Sequence, residues 1–347
     1  MQHLENSCWV TLLSNAGRTG GQGQWPSQSS LGLLWQLRLP DSVRTSPLLA
    51  DGLLYVTSLD GALHAIRIDN GREAWKFQTG ARIHCTPALC GSSILFGNDS
   101  GMVYAVDRQE GKKRWEAATG AEVWASPTVL GETAFVGSAD GHFYGFDLAS
   151  GKLRWERQIG ARIYSTAYLA GESVYFGASD GKVYCLNQNS GQVLWSTPTA
   201  NGIESSPAVV GGTVLIGSED FCLYALEAAT GKIRWKYATG LGIASSPAVG
   251  GNTVFVGSKD GLLYALDIPT GHLNWKVRLD QVITASPVIA GPVVCIQSCA
   301  RGVHTLEART GRQLWHARLG SSIQSCPVLA GNAVYVADQQ GMIYALG

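Results

Sequence analysis

One position of this chain gathers chemically capable side chains at a fixed interval. Arg44, His84, Trp124, Tyr164 and Glu204 stand 40 residues apart, and two positions upstream Arg82, Glu122 and Arg162 follow the same interval. In later copies the first series continues as Ala244, Thr284 and Gln324, and the second as Gly202, Gly242, Val282 and Ser322. His84 and Glu204 are residue types suited to acid and base work. A Trp and a Tyr edged by Arg, His and Glu suit a lopsided pocket for a small molecule or a peptide. The plainer expectation is a plug, in which these side chains fill a channel and pair off, Glu122 with Arg82 or Arg162. The candidate binding residues are therefore Arg44, Arg82, His84, Glu122, Trp124, Arg162, Tyr164, Glu204 and Gln324. No catalytic set and no metal set is assigned.

What positions these residues is a repeat. Trp35, Trp75, Trp115, Trp155, Trp195, Trp235, Trp275 and Trp315 are each 40 apart, with no insertion between them. A strict period of this length marks a solenoid, a propeller or an array. Within one period, four short β-rich runs, here A to D, are separated by turn signals: Gly211-Gly212, Asp260-Gly261 and Thr230-Gly231 are examples. Such runs read as an antiparallel four-stranded meander. Strand A is predicted over residues 202–209 and its equivalents, starting at the chemical positions. One meander cannot bury both faces, but eight in a ring bury them against each other. The chain ends at Leu346-Gly347 after a strand C, and Leu34 to Arg38 supplies a strand D with nothing before it. Strand D of the last blade is therefore predicted to come from the N-terminus, pairing with the C-terminal strand C and leaving no open edge.

The expected fold is all-β: an eight-bladed propeller over residues 34–347, preceded by an irregular segment, 1–33, packed on it through Trp9 and Trp25. If strand A runs from top to bottom, the D–A and B–C loops form the top face and the A–B and C–D turns the underside. The underside turns repeat glycine from blade to blade, whereas the top does not repeat. Its B–C loops carry Leu59, Asp99, Ala139, Ser179, Glu219, Lys259, Cys299 and Gln339 at one equivalent position. The recurring Asp60, Asp140, Asp180, Asp220 and Asp260 are read as caps of their own turns.

The pattern Leu-Tyr-Ala-Leu-Asp, Thr-Gly-x-x-x-Trp, Ser-Ser-Pro and Val-Gly-Ser-x-Asp-Gly resembles the pyrroloquinoline-quinone (PQQ) repeat. It is similar to that of quinoprotein alcohol dehydrogenases, of the outer-membrane assembly lipoprotein and of the C-terminal propeller of the β-alanine-activating enzyme family. The resemblance implies eight blades and a repeated Trp packed between neighbours. From the quinoprotein enzymes it implies PQQ, held against a disulfide of adjacent cysteines; this chain has no adjacent cysteines.

Bulk properties narrow the partner. Lys+Arg and Asp+Glu are both 26, and there is no basic run of the kind phosphate backbones demand, so no nucleic acid is expected. The eight cysteines form no Cys-x-x-Cys pair. They are read as small buried hydrophobes, with Cys295 and Cys299 the one pair placed for a disulfide. No membrane span and no signal peptide is readable, so a cytoplasmic monomer is expected. The leading reading is a non-catalytic scaffold binding a protein or peptide through its top face. A small-molecule pocket at the channel mouth, with enzymatic chemistry as an option, comes second, and a PQQ-dependent oxidoreductase third.

Overall fold

The structure, a computed structural model, describes residues 32–347 except 280–281, 300–301, 323–324 and 331–332. The N-terminal segment with Trp9 and Trp25, and the site candidate Gln324, lie outside the described residues.

Every described strand falls into one of eight four-stranded antiparallel sheets. Blade one is Leu48–Ala50, Leu53–Thr57, Ala62–Arg67 and Glu73–Gln78, and the next six follow in the same order. Blade eight is composite: Val328–Ala330, Ala333–Ala337 and Met342–Leu346 are completed by Leu33–Arg38 from the other end of the chain. Trp35 pairs with Ala345 and Leu37 with Ile343, and Gly32 and Gly347 exchange two backbone bonds of 2.9 Å. The predicted clasp is thus formed.

Strand A is shorter than predicted. In blade five it is Ala208–Val210 only, and residues 202–207 are irregular. This segment has no ladder partner of its own. Its backbone is instead tied to the loops on either side, and these ties fix the site described below.

The core lies between blades. Tyr55, Leu63 and Ala65 of blade one pack on Ile83, Ile94 and Phe96 of blade two. The termini join the same way, with Val43, Leu54 and Ile66 against Val328, Tyr335 and Ile343. The repeated Trp holds the underside together. The Trp155 indole N–H donates to Gln188 O of the next blade at 3.0 Å, and Trp115 does likewise to Leu148 O at 2.8 Å. Gly191 lies flat against the Trp155 ring, where an added Cβ would come within 2.5 Å, and its φ of +64° is one that L side chains rarely adopt. Thr-Gly-x-x-x-Trp is therefore one contact seen from two blades.

Around the axis runs a chain of buried hydroxyls. Ser46 N donates to Thr86 Oγ1, Thr86 N to Ser126 Oγ, Ser126 N to Thr166 Oγ1 and Thr166 N to Ser206 Oγ. Ser206 N and Ser246 N continue it to Ser246 Oγ and Ser286 Oγ, and Cys326 N returns to Ser46 Oγ. Among the described residues only the step from Ser286 to blade eight is missing, where the thiol of Cys326 replaces the hydroxyl. Cys295 and Cys299, the one pair placed for a disulfide, are both free thiols like the other described cysteines apart from Cys90. Cys90, by contrast, is disulfide-bonded, which no cysteine spacing in the sequence signals.

Candidate functional site

The backbone of the mouth is held from two sides. The carbonyl just before each buried apolar residue accepts from the B–C loop of its own blade: Asp99 N to Arg82 O, Ala139 N to Glu122 O and Ser179 N to Arg162 O, each 2.9 Å. The N–H of the apolar residue donates to the preceding blade: Val123 N to Asn98 O and Ile163 N to Ser138 O, both 3.1 Å. Val123 and Ile163 are fully buried, seated over Gly97 and Gly137 of the preceding blade. The residues flanking them point the other way and are exposed or half-buried. The sheet frame thus uses one side chain in three and leaves two to vary.

In blades two to four those side chains form a ladder of rings. His84 lies on Trp124 with centroids 4.7 Å apart, and Trp124 on Tyr164 at 5.0 Å and 29°. These spacings are those of favourable aromatic pairs. Asp99 ties the ladder down. Its Oδ1 accepts the Trp124 indole N–H at 2.8 Å, and its Oδ2 lies 3.4 Å from His84 Nε2. Trp124 nonetheless remains 40% exposed. Arg162 closes the far end, donating from Nη1 to the Tyr164 hydroxyl at 3.3 Å. Burial holds the His84 pKa below its ordinary value; Asp99 opposes this, while Arg44 and Arg82 add to it. The ring is therefore neutral near pH 7.

Sequence reasoning named the three rings but not Asp99 as their partner. A signal existed. In most blades the B–C turn is capped by the Asp equivalent to Asp60, whose Oδ1 accepts from Ala62 N at 3.0 Å. Blade two has Ser100 there, and Asn98 does the capping, accepting from Ser100 N and Met102 N. Asp99 itself stands at the varied position of this loop, where Leu59, Ala139 and Ser179 stand in other blades, so no turn claims its carboxylate. The regular Asp residues also do more than cap: Asp140 Oδ2 accepts from the Tyr144 hydroxyl and from Gly120 N of the preceding blade, both at 2.6 Å. Burial raises the Asp140 pKa, but these bonds outweigh it and hold the carboxyl below its usual range.

The expected ion pairs of the plug are not there: Glu122 pairs with neither Arg82 nor Arg162. Both arginines and Glu122 point outward and are exposed, and at the surface a pair gains too little to gather long side chains. Arg44 and Glu204 are likewise exposed and make no ion pair with a described residue. Between blades five and six the mouth carries an ion pair of its own. Lys259 Nζ donates to Glu219 Oε1 at 2.7 Å, and Glu219 covers Gly242, where an added Cβ would strike Oε2.

Eight closed blades with a PQQ-like repeat define the class: an eight-bladed β-propeller. Residues 123–347 match the model of the beta-alanine-activating enzyme, beta-propeller, and residues 27–122 that of outer membrane protein assembly factor BamB. Since the first match spans well over half of the chain, the protein belongs to the beta-propeller family of the beta-alanine-activating enzyme. No curated protein matches it. Among solved structures, BamB from Moraxella catarrhalis superposes with a TM-score of 0.80 at 20% identity, over 91% of this chain and 99% of that one. A europium-containing methanol dehydrogenase does so at 0.85 and 13%, over 99% and 98%. The computationally designed Ika8 protein gives 0.79 and 18%, over 89% and 98%. At such identities the likeness is one of fold.

A planar quinone would find no free ring face on Trp124. Both faces of Trp124 are covered by His84 and Tyr164, so no ring can lie on it, and the chain has no adjacent cysteines to back a quinone. Among the described residues no three His, Cys, Asp or Glu side chains converge as a metal site.

Proposed function

We propose that this protein is a non-catalytic scaffold that binds a protein or peptide partner through its top face, around the mouth of the channel. One observation carries this reading. A rigid, doubly tethered backbone presents an exposed Trp124 within the ring ladder, where the repeat imposes no residue of its own. Rigid elements presenting an aromatic anchor are the usual makings of an interface centre. The match of residues 27–122 to an outer membrane protein assembly factor supports a protein partner.

The test is capture of a partner by wild-type protein and by Trp124→Ala. The expected result is a partner lost from a variant that still unfolds cooperatively, its melting temperature lowered by only about 2 °C. A partner retained in full by Trp124→Ala would contradict the reading. Adding PQQ with calcium is expected to leave the absorption spectrum unchanged, whereas a coloured holoprotein would favour the oxidoreductase.

A second reading, a small-molecule site, has one observation of its own. Beside Arg162 lies a hollow of about 340 Å³ between blades three and four, bounded by Asp140 and Asp180. A melting shift with a small ligand that Arg162→Ala removes would move the assignment there.

A further inference from the structure

We propose that the half of the mouth built by blades one to four receives an acidic segment of its protein partner, whose carboxylates are held by Arg44, Arg82 and Arg162. This deepens the top-face reading and rests on it.

The three arginines border one continuous surface. Arg44 stands at the mouth position of blade one that His84 takes in blade two, and Arg82 two residues before His84; His84 stacks on Trp124 and Trp124 on Tyr164, and Arg162 contacts the Tyr164 hydroxyl. All three are exposed, and none makes an ion pair with a described residue. Elsewhere many cations find their carboxylate within the protein: Arg108 pairs with Asp51, Arg114 with Asp107, and Arg154 with Asp147 and Glu132. Guanidinium keeps its charge at any working pH and presents a fork that matches a carboxylate. Asp99, the carboxylate among these rings, faces Trp124 and His84 and forms no ion pair with any of the three arginines.

The ladder adds to the preference for anions. Because Trp124 is covered on both faces, it shows the solvent its edge, and ring edges carry the positive end of the aromatic quadrupole. The ladder therefore serves as a wall beside the arginines, with no free Trp124 face on which a partner's ring could stack.

Charge order selects a peptide over a nucleic acid. Glu122 stands at the position between Arg82 and Arg162, and Glu204 follows in blade five. A uniformly charged phosphate backbone would meet repulsion at both. A peptide can place carboxylates at the arginines and an amide or cation at Glu122. Across the mouth Lys259 is already paired with Glu219, and blade five presents the unpaired carboxylate of Glu204, so among the described residues the occupant is drawn to the side of the arginines.

Four labelled probes test this by fluorescence anisotropy: a short peptide of alternating Glu and Ser, the same peptide with Gln for Glu, the same with Lys for Glu, and oligothymidylate. The Glu peptide is expected to bind, and added salt to weaken it. Arg44→Gln, Arg82→Gln and Arg162→Gln should each weaken it by roughly five-fold, the scale of one exposed ion pair, and Glu122→Gln should tighten it. The Gln and Lys peptides and oligothymidylate should bind more weakly. All four substitutions are at exposed positions, and an unchanged melting temperature confirms folding. No binding of the Glu peptide, binding indifferent to the arginine variants, or equal binding of oligothymidylate overturns the proposal. Binding of the Gln or Lys peptide that Trp124→Ala abolishes would remove the acidic preference and leave the top-face reading standing. Loss of every Trp124-dependent interaction, captured partner included, would remove both.

Discussion

The underside and the mouth of this propeller are built on the same backbone plan, yet they treat side chains in opposite ways. On the underside each C–D turn brings a glycine against the Trp of the blade before it, as Gly151 does against Trp115 and Gly191 against Trp155. The contact consumes the side chain, and so the residue cannot change. At the mouth the fixed contacts are made by backbone N–H and C=O groups and by one buried Val or Ile per blade. Backbone bonds hold for any residue, so the flanking positions are free to carry Arg, His, Trp, Tyr and Glu. Rigidity and variability coexist there because different atoms supply them.

The largest expected effect separates the two regions directly. Trp155→Ala removes an inter-blade anchor and its bond to Gln188 O, and should cost about 3–5 kcal/mol. Trp124→Ala, at a more exposed ring, should cost roughly 1 kcal/mol, the scale of one hydrogen bond. Urea unfolding of both variants checks this, and equal losses would break the comparison.

A smaller effect of the opposite sign is expected in the hydroxyl chain. Cys326→Ser supplies the missing acceptor for Ser286 N and should stabilise the protein by roughly 1 kcal/mol, the net worth of one hydrogen bond. A lower denaturation midpoint would show that the thiol fits its site better than a hydroxyl.

The smallest effects concern two histidines. His64 is buried between Asp60, 3.0 Å from Nε2, and Glu73, 2.6 Å from Nδ1. Burial lowers its pKa, but the two carboxylates outweigh burial and raise it. Its contribution to stability is then fully present below its unfolded pKa and fades as pH rises through the folded value. The pKa of His84 is lowered, so its contribution has the reverse sense: acid removes stability as the unfolded chain takes up the proton first. NMR titration should place the midpoint of His64 above that of an unperturbed imidazole and that of His84 below it. The reverse order would mean that Asp99, and not burial, governs the mouth.

The frame was readable in the sequence because each repeat must satisfy the same contacts, so that the period, the Trp series, the glycines and the split eighth blade all recur or fail together. The candidate positions at the mouth were picked out for the complementary reason, since they are where recurrence stops. Their partners were less readable. Whether Glu122 reaches Arg82 depends on the direction in which exposed side chains leave the loop, which spacing does not encode. That His84, Trp124 and Tyr164 stack depends on the close approach of neighbouring blades at the axis. Asp99 was visible as one of the varied B–C residues, but it acquires meaning only once the Trp124 indole is seen to donate to it. The irregular residues 202–207 read as strand because their small and apolar types suit one, whereas the bonds that hold them run to other loops.

The central claim is that function is written at the mouth and not in the repeated frame. It is tested most directly by measuring the affinity of the Glu-Ser peptide for two triple variants of equal net charge. One is Arg44→Gln, Arg82→Gln and Arg162→Gln at the mouth; the other is Arg72→Gln, Lys152→Gln and Lys232→Gln at exposed positions of the underside turns. The mouth variant is expected to bind roughly a hundred-fold more weakly if three exposed pairs add, and the underside variant to bind like the wild type. Equal weakening in both would show attraction to overall charge alone and would contradict the account.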